Sequence, residues 1–174
     1  MEMPLERDAF EQLNLDHQLV SSQLSELETL LNDLPAELSA DLEAKLKSFT
    51  QFIEEEVWAH FHFEEESLFP LQDAHFPTEN APVAGGPVRV LREEHKNIRR
   101  LFDRFVQAIR SSQTDWAEGA KVHLAGSQLT TAFHKHIYKE DFVVFRLAKN
   151  LLSGDEQRQL NEAWDRFAKR RKGT

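Results

Sequence analysis

The chain has 174 residues, enough for one domain with a sizeable core, and its hydrophobic (40%) and charged (29%) fractions suit a globular protein. A formal net charge of −9 argues against nucleic acid as a partner, and the lack of cysteine excludes disulfides, thiolate metal sites and cysteine nucleophiles. The N-terminal stretch MEMPLERDAF lacks the basic-then-apolar layout of a signal peptide and no run could span a bilayer, so we expect a cytoplasmic chain with no membrane partner.

The spacing of apolar residues predicts an all-α chain. The first helix is expected from about Glu6 to Asn32, with Phe10, Leu13, Val20, Leu24, Leu27 and Leu31 on one stripe and His17 among them. The dipeptide Leu34-Pro35 breaks it. The second helix is expected from about Pro35 to Phe69, its stripe being Leu42, Leu46, Phe49, Ile53 and Val57, then His60, Glu64 and Leu68. Pro70 should end it, because proline has no N–H to continue the ladder. The segment from Gln72 to Pro87 reads as the one long loop. The third helix is expected from about Pro87 to Ser111, with Val88, Leu91, His95, Ile98, Phe102, Phe105 and Ile109 in line. The fourth, from about Thr114 to Leu152, aligns Val122, Ala125, Leu129, Phe133, His136, Glu140, Val144, Leu147 and Leu151. A short fifth helix (153–172) has Ser153 and Glu156 at capping-box spacing and Leu160, Trp164 and Phe167 on one face.

The first and third helices repeat one another: counted from His17 or from His95, apolar residues fall at the same five offsets. The second histidine follows after similar intervals, at His60 and His136. With about 1.5 Å of rise per residue, an up-down-up-down four-helix bundle of two repeated hairpins would bring all four histidines to a similar height. We expect one domain over 1–174, the bundle occupying 6–152.

His60 and Glu64, like His136 and Glu140, are four residues apart and share a helix face. With His17 and His95 they make six polar residues in one core layer. Unpartnered, each neutral group would cost about 1–3 kcal/mol and each carboxylate far more, against a total stability of about 5–15 kcal/mol. Metal coordination removes the difficulty. Imidazole with carboxylate and no thiolate fits iron, manganese or zinc. Four histidines and two glutamates exceed one tetrahedral zinc site. They fit two metals, each with two histidines, bridged by both carboxylates and an oxo or hydroxo group, leaving about one position per metal for a small molecule. Protons should displace the metal below about pH 5–6. His62 and His134 lie about 200° round the helix from the neighbouring ligands and should face outward, as should Trp58 and Tyr138. His75 and His123 read as surface residues or as residues that back the ligands from outside.

The residues His17, H-x-x-x-E-E-x-x-L-F-P at His60 to Pro70, GGPV-x-x-L-x-x-E-H at Gly85 to His95, and H-x-x-x-E-D-x-x-V-F at His136 to Phe145 resemble the hemerythrin-like (HHE cation-binding) domain. The resemblance covers roughly 8–152. It implies a bundle around a non-haem di-iron centre held by His17, His60, Glu64, His95, His136 and Glu140. Oxygen-carrying members have an H-x-x-x-H pair on the third helix, where this chain has His95 and Arg99. The ligand pattern instead resembles the four-His, two-Glu sites of iron–sulfur-centre repair proteins, although their additional cysteine-bearing domain is not found in this sequence. Arg146 stands where a second L-F-P would have its proline. The expected function is binding or sensing of O2, NO or peroxide, in oxidative or nitrosative stress or in iron homeostasis. The alternative is a di-iron redox enzyme, peroxidase- or oxidase-like or related to iron–sulfur repair. The chain is expected to be a monomer or a homodimer, its fifth helix folding back on its own bundle.

Overall fold

The structure, a computed structural model, describes residues 8–34, 39–76, 86–112 and 119–172. They form five helices and no strand. Helix α1 is Ala9–Asn32, opened by Asp8, whose carboxylate accepts the Phe10 N–H at 2.9 Å. Helix α2 (40–73) opens behind Ser39, whose hydroxyl accepts the Leu42 N–H, and contains two π turns, Ile53–Val57 and Glu64–Leu68. Helix α3 is Gly86–Ser112, helix α4 (119–151) contains a π turn at Glu140–Val144, and helix α5 is Gly154–Lys172. The expected helix starts at Glu6, Pro35 and Thr114, and the segment 77–85, lie outside the described residues.

The π turns have a legible cause. An α-helix advances about 100° per residue, so two successive four-residue steps overshoot two full turns by about 80°. Phe49, Ile53 and Val57 make two such steps; so do His60, Glu64 and Leu68, and His136, Glu140 and Val144. The wider i→i+5 turn keeps each triplet on one buried face.

The π turns also shift the buried face by one residue beyond them. On α4, Phe145, Ala148 and Leu152 enter the core, whereas Leu147 and Leu151, expected there, are only half-buried. On α2, the helix runs past Pro70 to Asp73 instead of ending at Phe69. Pro70 sits in the first α-helical turn after the π turn, where a missing N–H costs little. Gly126 takes the core position expected of Ala125, because α1 passes close by: a β-carbon there would meet Leu31 Cδ1 at 2.6 Å.

The core falls into two clusters. The larger includes Leu24, Leu46, Phe105 and Phe133, and the smaller includes Leu13, Phe69, Leu91 and Phe145. On each of α1 to α4 the histidine-bearing layer separates residues of one cluster from residues of the other. Helix α5 folds back on the smaller cluster, with Leu160, Trp164 and Phe167 buried. The Phe63 ring lies 4.8 Å from Trp164 and 5.2 Å from Phe167. The capping box forms: the Ser153 N–H donates to Glu156 at 2.7 Å, and the Glu156 N–H donates to Ser153 Oγ at 3.3 Å. Asn161 Oδ1 accepts the Ala9 N–H at 2.9 Å, tying α5 to the open end of α1. Among the described residues, no helix is long and apolar enough to cross a membrane.

Candidate metal centre

All six residues singled out by spacing meet in the buried layer. Glu64, His95 and Glu140 are 0% exposed and none of the six exceeds 3%. Their inward atoms converge. His17 Nε2 lies 3.1 Å from His60 Nε2 and 3.1 Å from Glu140 Oε2, and His136 Nε2 lies 3.2 Å from that same oxygen. Glu64 offers Oε1 to His60 Nε2 and Oε2 to His95 Nε2, each at 3.4 Å. Two overlapping groups result, one of His17, His60, Glu64 and Glu140, the other of Glu64, His95, His136 and Glu140, with ligand atoms within 4.8 Å of one another. Both glutamates belong to both groups.

Apart from the hydrogen bond between His17 and His60, these short approaches are not aligned hydrogen bonds. Both oxygens of Glu64, both of Glu140, and the Nε2 atoms of His95 and His136 are buried without an aligned partner. Buried carboxylates in that state would cost several kcal/mol each. Atoms crowded together yet pointing past one another are what a common central ion requires. Two ligands about 2.1 Å from one octahedral ion, at right angles, stand about 3.0 Å apart. The donor set and its geometry therefore fit a pair of metal ions.

The outward nitrogens are held as well. His17 Nδ1 lies 2.6 Å from Asp141, His60 Nδ1 3.1 Å from Asp16, His95 Nδ1 2.7 Å from Glu65, and His136 Nδ1 3.3 Å from Glu94. A carboxylate there fixes the tautomer, keeps Nε2 as the free donor, and makes the imidazole a stronger ligand. The arrangement repeats with the two hairpins exchanged. The acid before His17 holds His60, and the acid before His95 holds His136. The acid after Glu64 holds His95, and the acid after Glu140 holds His17. Aromatic rings follow the same rule: Phe69 stacks on His95 at 5.5 Å, and Phe145 on His17 at 5.4 Å. Phe61 breaks it, lying flat on His95 at 3.7 Å with no aromatic counterpart at Ile137.

Six acids around four imidazoles demand positive charge. Burial opposes charging His60, yet the Glu64 and Asp16 carboxylates outweigh it and raise its pKa to about 10. Burial likewise opposes charging His17 and His136. Asp141 and Glu140 raise the former to about 9; Glu140 and Glu94 raise the latter to about 9. Burial presses Glu64 and Glu140 toward the neutral form, and Glu140 adds its repulsion at Glu64, but the histidines prevail and both titrate below the ordinary carboxylate range. Glu65, bonded to His95 and then to Arg99, falls to about 2. In the metal-free chain, protons fill the place of cations.

The remaining histidines stay apart. His62 and His123 are exposed; His134 pairs with Glu28 at 2.9 Å and His75 with Glu156 at 3.0 Å, both at the surface. Tyr138 is exposed. Trp58 packs outside the layer, edge-on to Phe102 at 5.3 Å. Arg99 points away from the ligand atoms and holds Glu65 at 3.1 Å. The four outer carboxylates and the Phe61, Phe69 and Phe145 rings were not singled out by spacing. The one signal for the acids was their adjacency to ligand residues, in the pairs Asp16-His17, Glu64-Glu65, Glu94-His95 and Glu140-Asp141.

A helical bundle with a buried four-histidine, two-glutamate layer defines a cation-binding domain. The chain matches the family model of the hemerythrin HHE cation binding domain over residues 8–148, and it belongs to that family. No curated protein and no solved structure matches it.

Proposed function

We propose that this chain is a non-haem di-iron protein that binds or senses a small molecule such as O2, NO or peroxide. One observation carries the reading: two overlapping His2Glu2 groups share both carboxylates, and six of their buried ligand atoms lack hydrogen-bond partners. His17 and His60 would hold one ion, His95 and His136 the other, with Glu64 and Glu140 reaching both. The N,O donors suit manganese or zinc as well, and membership of the family favours iron. When bound, the ions supply Lewis acidity and one-electron chemistry toward a small ligand. The protein's part is to hold each Nδ1 on its outer carboxylate, so that Nε2 is the nitrogen turned to the ions, and to wall the layer off from water with Phe61, Phe69 and Phe145.

The reading takes the four long helices as alternating in direction. Along α1 and α3 the chain passes from the smaller core cluster to the larger, and along α2 and α4 it returns. It also takes the chain to act as a monomer in the cytoplasm, in a response to oxidative or nitrosative stress or in iron homeostasis. The test is metal analysis with anaerobic optical spectra of the purified protein. Two irons per chain and a spectrum that responds to NO, O2 or peroxide are expected. A chain that takes up one ion or none, or whose spectrum is indifferent to all three ligands, would overturn it.

A further inference from the structure

Three of the four outer carboxylates are backed by a cation. Arg99 stands behind Glu65 and Lys139 behind Glu94, both within the family's own helices. The third cation comes from beyond the matched region. Arg171, near the end of α5, places Nη1 3.7 Å from Asp16 Oδ2, the same oxygen that accepts the His60 Nδ1–H at 3.1 Å. Its other terminal nitrogen pairs with Glu56. The guanidinium thus spans α1 and α2, the two helices that carry His17 and His60. It lies over the Phe167 ring at 5.3 Å, which aims it at the two acids. Asp16 is about a quarter exposed, so without a counter-ion its carboxylate could turn toward water and release the imidazole.

We infer that α5 is a working part of the metal centre, and that Arg171 is a positioning residue that holds Asp16, and through it His60, in the metal-binding orientation. The inference rests on the di-metal reading above. It assigns to the C-terminal helix a role besides covering the smaller core cluster: the ion beside His17 and His60 is held more tightly while α5 stays docked. Asp141, which holds His17, has no such cation among the described residues, so Arg171 is the cationic support of this half of the site.

The test is the rate at which iron-loaded, full-length protein releases metal to a chromogenic chelator at fixed pH and salt. Outer partners of metal-bound histidine typically contribute about 10–100-fold in affinity. Asp16→Asn, which keeps an acceptor but loses the charge, is expected to speed release of one ion about tenfold, at the low end of that range. Arg171→Ala should speed it about threefold to tenfold, and Arg166→Ala, on the exposed side of the same helix, not at all. The decisive variant is the double one. If Arg171 acts through Asp16, Arg171→Ala changes nothing further in the Asp16→Asn background. If it merely loosens α5, the two effects multiply and the inference fails. It fails equally if Arg171→Ala releases iron at the wild-type rate. A wild-type chain that takes up no metal sinks the di-metal reading and this inference together.

Discussion

Each candidate ligand residue has a role that its substitution isolates. His60→Ala and His136→Ala should each lose at least one ion, while His62→Ala, on the exposed face two residues on, should keep the full complement in metal analysis. Glu64→Gln or Glu140→Gln should cost both ions, because each glutamate belongs to both groups. The titration of the histidines sets a second expectation. In the metal-free chain His60 binds its proton up to about pH 10, and His17 and His136 up to about 9, whereas the unfolded chain releases these protons near 6.5. A pKa raised by folding adds stability that is fully present below 6.5 and is lost as pH rises through 9 to 10. Metal needs the neutral imidazole, so its affinity rises across that same window. The melting temperature of metal-free protein should fall from neutral pH to about 10, and the increment from added metal should grow. An increment that stays constant across this range would contradict the assignment. Spacing alone placed proton competition below about pH 5–6 from the ordinary histidine value. The carboxylates around the rings, Glu64 at His60, Glu140 at His136 and Asp141 at His17 foremost, move it upward.

At the scale of the helices, close approach and phase decide the packing. Gly126→Ala puts a methyl 2.6 Å from Leu31 Cδ1 and 3.0 Å from Phe105; overpacking of about 1–3 kcal/mol should outweigh the gain of up to about 1 kcal/mol in helix propensity and leave a net loss. Thermal melting measures the loss, and Leu31→Val in the same chain should recover part of it. The meeting of six side chains was legible in the sequence because a histidine or glutamate on an apolar stripe takes the stripe's direction whatever its own chemistry. His17, on α1, and His95, on α3, show this most simply, since those helices are regular throughout. The outer acids were not legible. Asp16 adjoins His17 yet holds His60, and Asp141 adjoins Glu140 yet holds His17, so each pairing exists only once two helices are packed. The misplacement of Leu147 and Leu151 has a different origin. A stripe extrapolated at 3.6 residues per turn cannot register a π turn that inserts one residue into the count.

For the whole molecule, α5 decides how the chain presents itself. Burying Leu160, Trp164 and Phe167 contributes about 1.5–3 kcal/mol for each side chain. With that face covered by the chain's own bundle, light scattering should find full-length protein monomeric. Truncation after Leu152 should lower the melting temperature, expose Phe63 and its neighbours to a hydrophobic dye, and promote association. A truncated chain that melts as before and binds no dye would show that α5 contributes nothing to the fold.

The π turns at Glu64–Leu68 and Glu140–Val144 occupy equivalent places in the two hairpins, each opening on a glutamate of the buried layer; the third, at Ile53–Val57, has no counterpart in α4, which is α-helical at the equivalent position. A single inserted residue is the simplest origin of such a turn. An ancestral hairpin that already carried the insertion at its glutamate, then doubled, yields the shared pair. An insertion after the doubling yields the odd one. If the two hairpins arose in this way, related chains should keep the first two turns together wherever both glutamates persist, and should gain or lose the turn at Ile53–Val57 independently. A set of structures in which the paired turns come and go separately would refute this ancestry.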